Sequence, residues 1–376
     1  MLELANVSQR YGQEPWVLQS VSFQLGAGER LAVVGPSGVG KSSLLRLIAG
    51  LESPVSGSIR INGQVMEGVP PYQRGVALMT QQAVLFPHWT VRQNLALGLT
   101  GRDEPRQAAE ARAEAMASKL GIRDLLDRKP VGLSGGQQKR VALGRALIGE
   151  CPLLLLDEPF SSLDSYLRLG LASELSSLLD QSQASAILVT HDVAEALSFG
   201  SRLMVLLNGQ MAQSGPTREV YRRPATLAVA RFLGDPPCSV LPVRLDPLGE
   251  RQRLTFDGEP NTDAPPDGDE RTQAFTGLKP GAWWVGVRPE HVGLFRDRPR
   301  STAPNTLHAR VTVSKVMLRG PATLVELKLG SSLLRAWTPP DARWTPGDQA
   351  FVAFDLSRLL WFDQETSQLA HGSASN

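Results

Sequence analysis

An α/β domain followed by a smaller all-β domain is the architecture this sequence predicts, on three observations. Strand-like apolar runs alternate with helix-period segments from Leu2 to about Leu233. At Gly234-Asp235-Pro236-Pro237 the style changes, and short strand-like pieces replace the helical periodicity. The chain's 376 residues also exceed what one ordinary core organises, so two domains are expected, over 1–234 and 235–376.

Taken in order, the apolar runs predict strands over 2–7, 17–24, 30–34, 57–61, 76–80, 153–157, 186–190 and 203–207. Helix-period segments between them predict helices over 41–49, 106–120, 137–148, 166–179 and 193–199. Asn62-Gly63 and Asn208-Gly209 read as hairpin turns, because both residue types tolerate positive φ. Further strands are expected in the second domain over 283–287, 310–316, 323–329, 333–337 and 349–354. The Pro/Gly/Asp-rich stretch 258–269 reads as a loop, and the tail 371–376 as a fraying end.

Composition narrows the function classes. A hydrophobic share of 42% with 20% charge describes a globular chain and excludes a disordered one. Net charge is only +2, so the broad basic field of a nucleic-acid binder is missing and no nucleic-acid partner is expected. Cys151 and Cys238 lie far apart and outside any CxxC pair, which points to a reducing compartment without a metal cluster. Residues 1–7 read as the start of a strand, with no basic or apolar leader, so no signal peptide is expected. The apolar runs at 153–156 and 203–207 fall far short of the ~20 residues a spanning helix requires. If the protein works at a membrane, a partner must do the crossing.

The chemistry starts at Gly35-Pro36-Ser37-Gly38-Val39-Gly40-Lys41-Ser42, a full GxxxxGK[ST] match between an apolar strand and a Leu-rich helix that opens with Lys41, Ser42 and Ser43. Glycines let backbone N–H groups converge on phosphate oxygens, and the helix N-terminus favours negative charge. Lys41 supplies a point charge to the β- and γ-phosphates, and the Ser42 hydroxyl suits Mg²⁺. Four leucines at 153–156 form a strand that ends on Asp157 and Glu158, where open α/β sheets place their ligands. Asp157 suits the metal's water shell, and Glu158 suits polarising an attacking water. Leu133-Ser134-Gly135-Gly136-Gln137 opens another helix and exposes a second set of backbone donors. With one Lys-bearing loop per chain, this second cradle finds a phosphate if two copies pair head to tail and sandwich two nucleotides.

In order and spacing these three segments resemble the nucleotide-binding subunit of ABC transporters, over residues 2 to about 233. The resemblance implies a P-loop NTPase domain of the ABC-ATPase type with a helical subdomain, and it implies roles for further residues. Tyr11, in Arg10-Tyr11-Gly12, looks like the aromatic that stacks on adenine. Gln81, ahead of Leu85-Phe86-Pro87-His88, looks like the glutamine that senses Mg²⁺ and the permease. Gln82 is adjacent, and the spacing to Phe86-Pro87-His88 selects Gln81. Ser161-Ser162-Leu163-Asp164 resembles the loop that communicates across the dimer, through Asp164. Thr190-His191-Asp192 resembles the switch whose histidine contacts the γ-phosphate. Glu158, His191 and Gln81 are thus the catalytic candidates, and Ser42, Gln81 and Asp157 the candidates for Mg²⁺. The exposed-looking aromatic run Phe86-Pro87-His88-Trp89 is expected to face the permease.

Val287-Arg288-Pro289-Glu290-His291 resembles the motif of the small OB- or TOBE-like β-barrel on importer ATPases for sugars, sulfate, molybdate, ferric iron and polyamines. That resemblance implies import and a peripheral subunit on the cytoplasmic face of the inner membrane. Its partners would be a second copy, the permease subunits and, indirectly, a solute-binding protein. An inorganic ion such as ferric iron or sulfate leads as the expected cargo, with a sugar or polyamine as the alternative. A soluble relative acting on nucleic acid or ribosomes fits less well, because residues 82–132 lack sustained heptads. A kinase or GTPase leaves residues 133–137 and 190–192 unexplained, and no Asn-Lys-x-Asp sequence reads guanine.

Overall fold

The computed structural model of the chain describes residues 1–99, 105–161, 165–248, 251–256, 278–299 and 306–370. It divides into two units, residues 1–220 and 221–376. The first begins with β1 (Leu2–Gln9), β2 (Leu18–Leu25), β3 (Arg30–Val34), α1 (Lys41–Ala49), β4 (Ser56–Ile61), β5 (Gln64–Val65) and β6 (Val76–Met79). Three helices follow: α2 (Val91–Ala96), α3 (Arg106–Lys119) and α4 (Gly135–Ile148). Then come β7 (Leu153–Asp157), α5 (Ser165–Ser182), β8 (Ser185–Thr190), α6 (Val193–Phe199), β9 (Arg202–Leu207), β10 (Gln210–Pro216) and α7 (Thr217–Arg222), whose last two residues, Tyr221 and Arg222, belong to the second unit.

Two sheets sandwich α1. An antiparallel sheet has the order β2-β1-β4-β5; the larger sheet runs β10-β9-β3-β8-β7-β6 and is parallel except for β10. Leu44, Leu45, Leu47 and Ile48 of α1 share one core with Leu4 and Val7 of β1 and with Leu31 and Val33 of β3. β7 and β8 are buried along their whole length, as parallel strands covered on both faces must be. Because β3, β7 and β8 run in the same direction, their C-terminal ends share one edge. There Val34 lies opposite Thr190, and Asp157 opposite Val189. Every residue that follows these strands is thereby delivered to one rim.

The α1 helix is held at its far end by Arg74, a residue without any sequence signal. Its buried guanidinium donates to the carbonyls of Leu47 and Ile48 at 3.0 and 3.2 Å and to those of Val69 and Met66 at 2.9 and 2.8 Å. Helix ends leave such carbonyls without intrahelical partners, so Arg74 caps α1 and ties the following loop to it. The α2, α3 and α4 helices pack into a subdomain at Gly144, where a Cβ would meet Leu95 at 2.7 Å and Leu120 at 2.8 Å. Both expected hairpins are present: Asn62 and Gly63 have φ of 51° and 80°, Asn208 and Gly209 of 52° and 73°.

Among the described residues the second unit carries α8 (Leu227–Phe232) and then strands, with short 3-10 turns at Pro289–His291 and Leu356–Arg358. The strands are β11 (Ser239–Leu248), β12 (Arg251–Phe256), β13 (Gly281–Val287), β14 (Val292–Phe295), β15 (Thr306–Arg319), β16 (Ala322–Leu329), β17 (Ser332–Thr338), β18 (Gln349–Asp355) and β19 (Leu360–Asp363). They form two antiparallel sheets, β12-β11-β13-β19 and β14-β18-β15-β16-β17, whose inner faces close around one core containing Trp361 and Phe354. Sequence reasoning misses β11 because Pro242 and Pro247 interrupt it. Pro242 pairs only with β13 and Pro247 only with β12, so each proline stands where the strand has a single neighbour. The expected loop at 258–269 and the tail at 371–376 lie outside the described residues.

Candidate active site

The turn after β3 is shaped for close approach of main chain. Gly38 and Gly40 adopt φ of 79° and 102°, which side chains resist, and Gly40 caps α1. A side chain on Gly40 would run into the carbonyl of Val17 at 2.6 Å. The same carbonyl lies 2.8 Å from where a Cβ on Gly209 would sit, so the backbone at Val17 is pressed between two glycines. Lys41 is buried, and its amine folds over the loop, donating to the carbonyls of Gly35 at 2.8 Å and Pro36 at 2.9 Å. Burial pushes the Lys41 pKa down, while the carboxylates of Glu158 and Asp157 pull it back up.

Facing this loop are the acids at the end of β7. Ser42 donates through Oγ to Asp157 Oδ1 at 3.0 Å, joining the first turn of α1 to the strand end. Burial raises the Asp157 pKa, opposed by the Ser42 hydrogen bond. A hydroxyl and a buried carboxylate held in contact are hard oxygen donors, the set that Mg²⁺ prefers, so these residues fit the ion. Glu158 leaves the strand in a left-handed conformation, φ 47°, and its N–H donates to Val189 O at 2.8 Å. This turn carries its carboxylate to two partners. Gln81 Nε2 donates to Glu158 Oε2 at 2.8 Å, and His191 Nδ1 lies 3.0 Å from Glu158 Oε1. Gln81, not its neighbour Gln82, makes the contact; Gln82 uses its carbonyl to accept from Thr80 Oγ1. His191 is held at the N-terminus of α6, where Asp192 caps the helix and Arg168 pairs with Asp192 at 3.0 Å.

The glycine-rich start of α4 is a capping box. Ser134 Oγ accepts from Gln137 N at 3.3 Å, and Gln137 Oε1 accepts from Ser134 N at 2.9 Å. This moves the helix start to Gly135, two residues before the expected Gln137. None of the hydrogen bonds described for Ser134–Gln137 reaches the Lys41 cluster of the same chain. Asp164 lies outside the described residues.

Tyr11 lies on the loop between β1 and β2. Its hydroxyl is 2.9 Å from Ser43 Oγ and donates to Glu52 at 2.7 Å, which secures the aromatic ring beside the first turn of α1 while leaving it exposed. Phe86 and Trp89 stack at 4.9 Å and are exposed. Behind them Asn94 is fully buried; it accepts from Phe86 N at 2.8 Å and donates to the carbonyls of Phe86, Trp89 and Thr90 at 3.2, 3.3 and 3.0 Å. Sequence reasoning missed Asn94 together with α2, although Thr90 and Gln93 form a capping box whose T-x-x-Q pattern could have revealed the helix. In the second unit Arg288 and Glu290 brace a turn. The guanidinium stacks 3.7 Å over the Tyr221 ring, and Tyr221 donates to Glu290 at 2.8 Å.

With this geometry in view, comparisons with known proteins agree on one group. The family model described as "ABC transporter" matches residues 18–161, and the one described as "TOBE domain" matches residues 285–362. The sulfoquinovosyl glycerol transport ATP-binding protein SmoE of Agrobacterium fabrum is 36% identical over 94% of this chain and 95% of its own. The sn-glycerol-3-phosphate import ATP-binding protein UgpC of Rhizobium meliloti is 37% identical over 96% of this chain and 97% of its own. The dimeric post-hydrolysis structure of the ATP-binding cassette MJ0796, bound to ADP and Pi, superposes with a TM-score of 0.54 and 29% identity. That match covers 58% of this chain and 99% of the cassette. Neither transport name refers to an inorganic ion, so the expectation of ferric iron or sulfate as cargo finds no support here.

Proposed function

Because the chain belongs to the ATP-binding subunits of ABC importers, which hydrolyse ATP to power transport, we propose a division of labour among the residues gathered at its sheet edge. Two copies pair head to tail, and each ATP lies between the 35–43 loop of one copy and residues Ser134, Gly135, Gly136 and Gln137 of the other. Tyr11 supports the base. Lys41 and the loop N–H groups neutralise charge on the phosphates. Ser42, Asp157 and Gln81 would hold Mg²⁺, which supplies charge neutralisation at the β- and γ-phosphates.

Glu158 takes a proton from water as the water oxygen attacks the γ-phosphorus in line. The bond to the β,γ-bridging oxygen breaks, leaving ADP and phosphate. Gln81 and His191 orient the carboxylate, and His191 contacts the γ-phosphate, so that phosphate loss is felt at α6. The single observation behind this reading is the convergence of Gln81 and His191 on Glu158, beside the Ser42–Asp157 pair. The exposed Phe86–Trp89 stack would dock the membrane permease at the cytoplasmic face, Asp164 would relay closure between the two copies, and a solute-binding protein would deliver cargo to the permease. Residues 235–376 would serve as a dimerisation and regulatory domain. The relatives named above favour a glycerol-bearing organic solute as cargo, nearer the sugar alternative than an inorganic ion.

The Glu158→Gln variant tests the chemistry. ATP binding should persist while turnover falls by roughly 10²–10⁴-fold, the usual worth of a general base. Equilibrium binding and phosphate release measure the two quantities. A variant that turns over ATP at the wild-type rate would remove Glu158 from this role.

A further inference from the structure

Lys139 lies on the second turn of α4, five residues after Ser134, which is about 7.5 Å along a helix rising ~1.5 Å per residue. A lysine in a helix ordinarily snorkels to water. This one is only 7% exposed. Its amine donates instead to the Glu158 carbonyl at 3.3 Å, to Ser161 Oγ at 2.6 Å and to the Ser161 carbonyl. Ser161 closes the same turn, donating through Oγ to Glu158 O at 2.9 Å and through its N–H at 3.2 Å. All three ammonium protons therefore have acceptors within the turn that begins at Glu158. That turn is the one whose left-handed first residue aims the carboxylate at Gln81 and His191. Burying an ammonium is costly unless its protons are hydrogen-bonded, and here every bond ties α4 to the Glu158–Ser161 turn.

We propose that Lys139 is a positioning residue that locks the Glu158 turn to α4, so that a phosphate seated on the Ser134 end of the helix sets the aim of Glu158 in the same chain. The inference rests on the functional reading above, because it needs Ser134 to receive the partner's nucleotide. It adds a direction of coupling: a helix loaded by one nucleotide orients the base that acts on the other. Lys139 touches neither nucleotide; it acts through the turn.

The test uses the full chain assembled with its permease, comparing Lys139→Met and Lys139→Arg with the wild type. For Lys139→Met, nucleotide affinity should stay within about twofold. The maximal rate should fall at least tenfold, and the Hill coefficient for ATP should drop towards one. Lys139→Arg, which keeps a charged donor, should recover most of the rate. A merely structural role would lower thermal stability while leaving the Hill coefficient unchanged, and that result overturns the proposal, as does a near-normal rate in Lys139→Met. If Lys139→Met fails to fold, Ser161→Ala carries the test. It removes one acceptor and should lower both rate and Hill coefficient several-fold less than predicted for Lys139→Met; unchanged values overturn the proposal. A wild-type assembly with no ATP turnover would instead count against the functional reading itself.

Discussion

At Asp157 the fold holds a carboxylate where its charge is disfavoured. Burial raises its pKa, so the native state keeps a proton that the unfolded chain, titrating near 3.8, has already released. With more protons on the native state, stability declines as pH rises from 3.8 through the raised value, the reverse of a salt-bridged carboxylate. Asp157→Asn removes this penalty. In nucleotide-free protein we expect a higher melting temperature at neutral pH, together with loss of the further rise that Mg²⁺ and ATP give the wild type. Scanning calorimetry with and without Mg²⁺–ATP measures both, and a variant that melts lower than wild type without ligand contradicts the account.

Elements show where sequence reasoning reaches and where it stops. The rim of β3, β7 and β8 was legible because each strand is a short apolar run ending in a residue whose chemistry is local: the glycines and Lys41, Asp157 with Glu158, and His191. The polar residues that hold those elements in place were not legible. Arg74 and Asn94 satisfy main-chain groups 4 to 27 residues away, and Lys139 those of Glu158 and Ser161, 19 and 22 residues off. Such partners are set by tertiary structure and leave no periodic trace. β11 was hidden for a different reason, since its prolines break a pattern that the changing neighbours of the strand make permissible. Asn94 offers a test at this scale. Asn94→Ala leaves the Phe86 amide and three carbonyls short of their buried partner, costing about 1–3 kcal/mol in thermal or denaturant unfolding. Amide exchange should quicken from Phe86 to Thr90 ahead of the rest of the subdomain. Uniform quickening across the first unit would show that Asn94 supports the fold as a whole and not that loop.

Across the whole molecule, each unit closes its own core, one around α1 and one between the two β-sheets. We expect calorimetry to resolve two transitions. Saturating ATP should raise only the one belonging to residues 1–220, by about 2.7 kcal/mol at a ligand concentration of 100 Kd. A single transition that moves as one with nucleotide would show that the two units melt as a single cooperative body. Within the first unit, the carbonyl of Val17 has a wider consequence. Position 209, at the tip of a distant hairpin, borders the nucleotide loop through bare main chain, with nothing compressible in between. A methyl group added there would push on the backbone of Trp16 and Val17 and, through the Val17 carbonyl, on the loop's last glycine, Gly40. If that loop holds ATP as proposed, damage to ATP affinity can originate in a hairpin turn outside the loop.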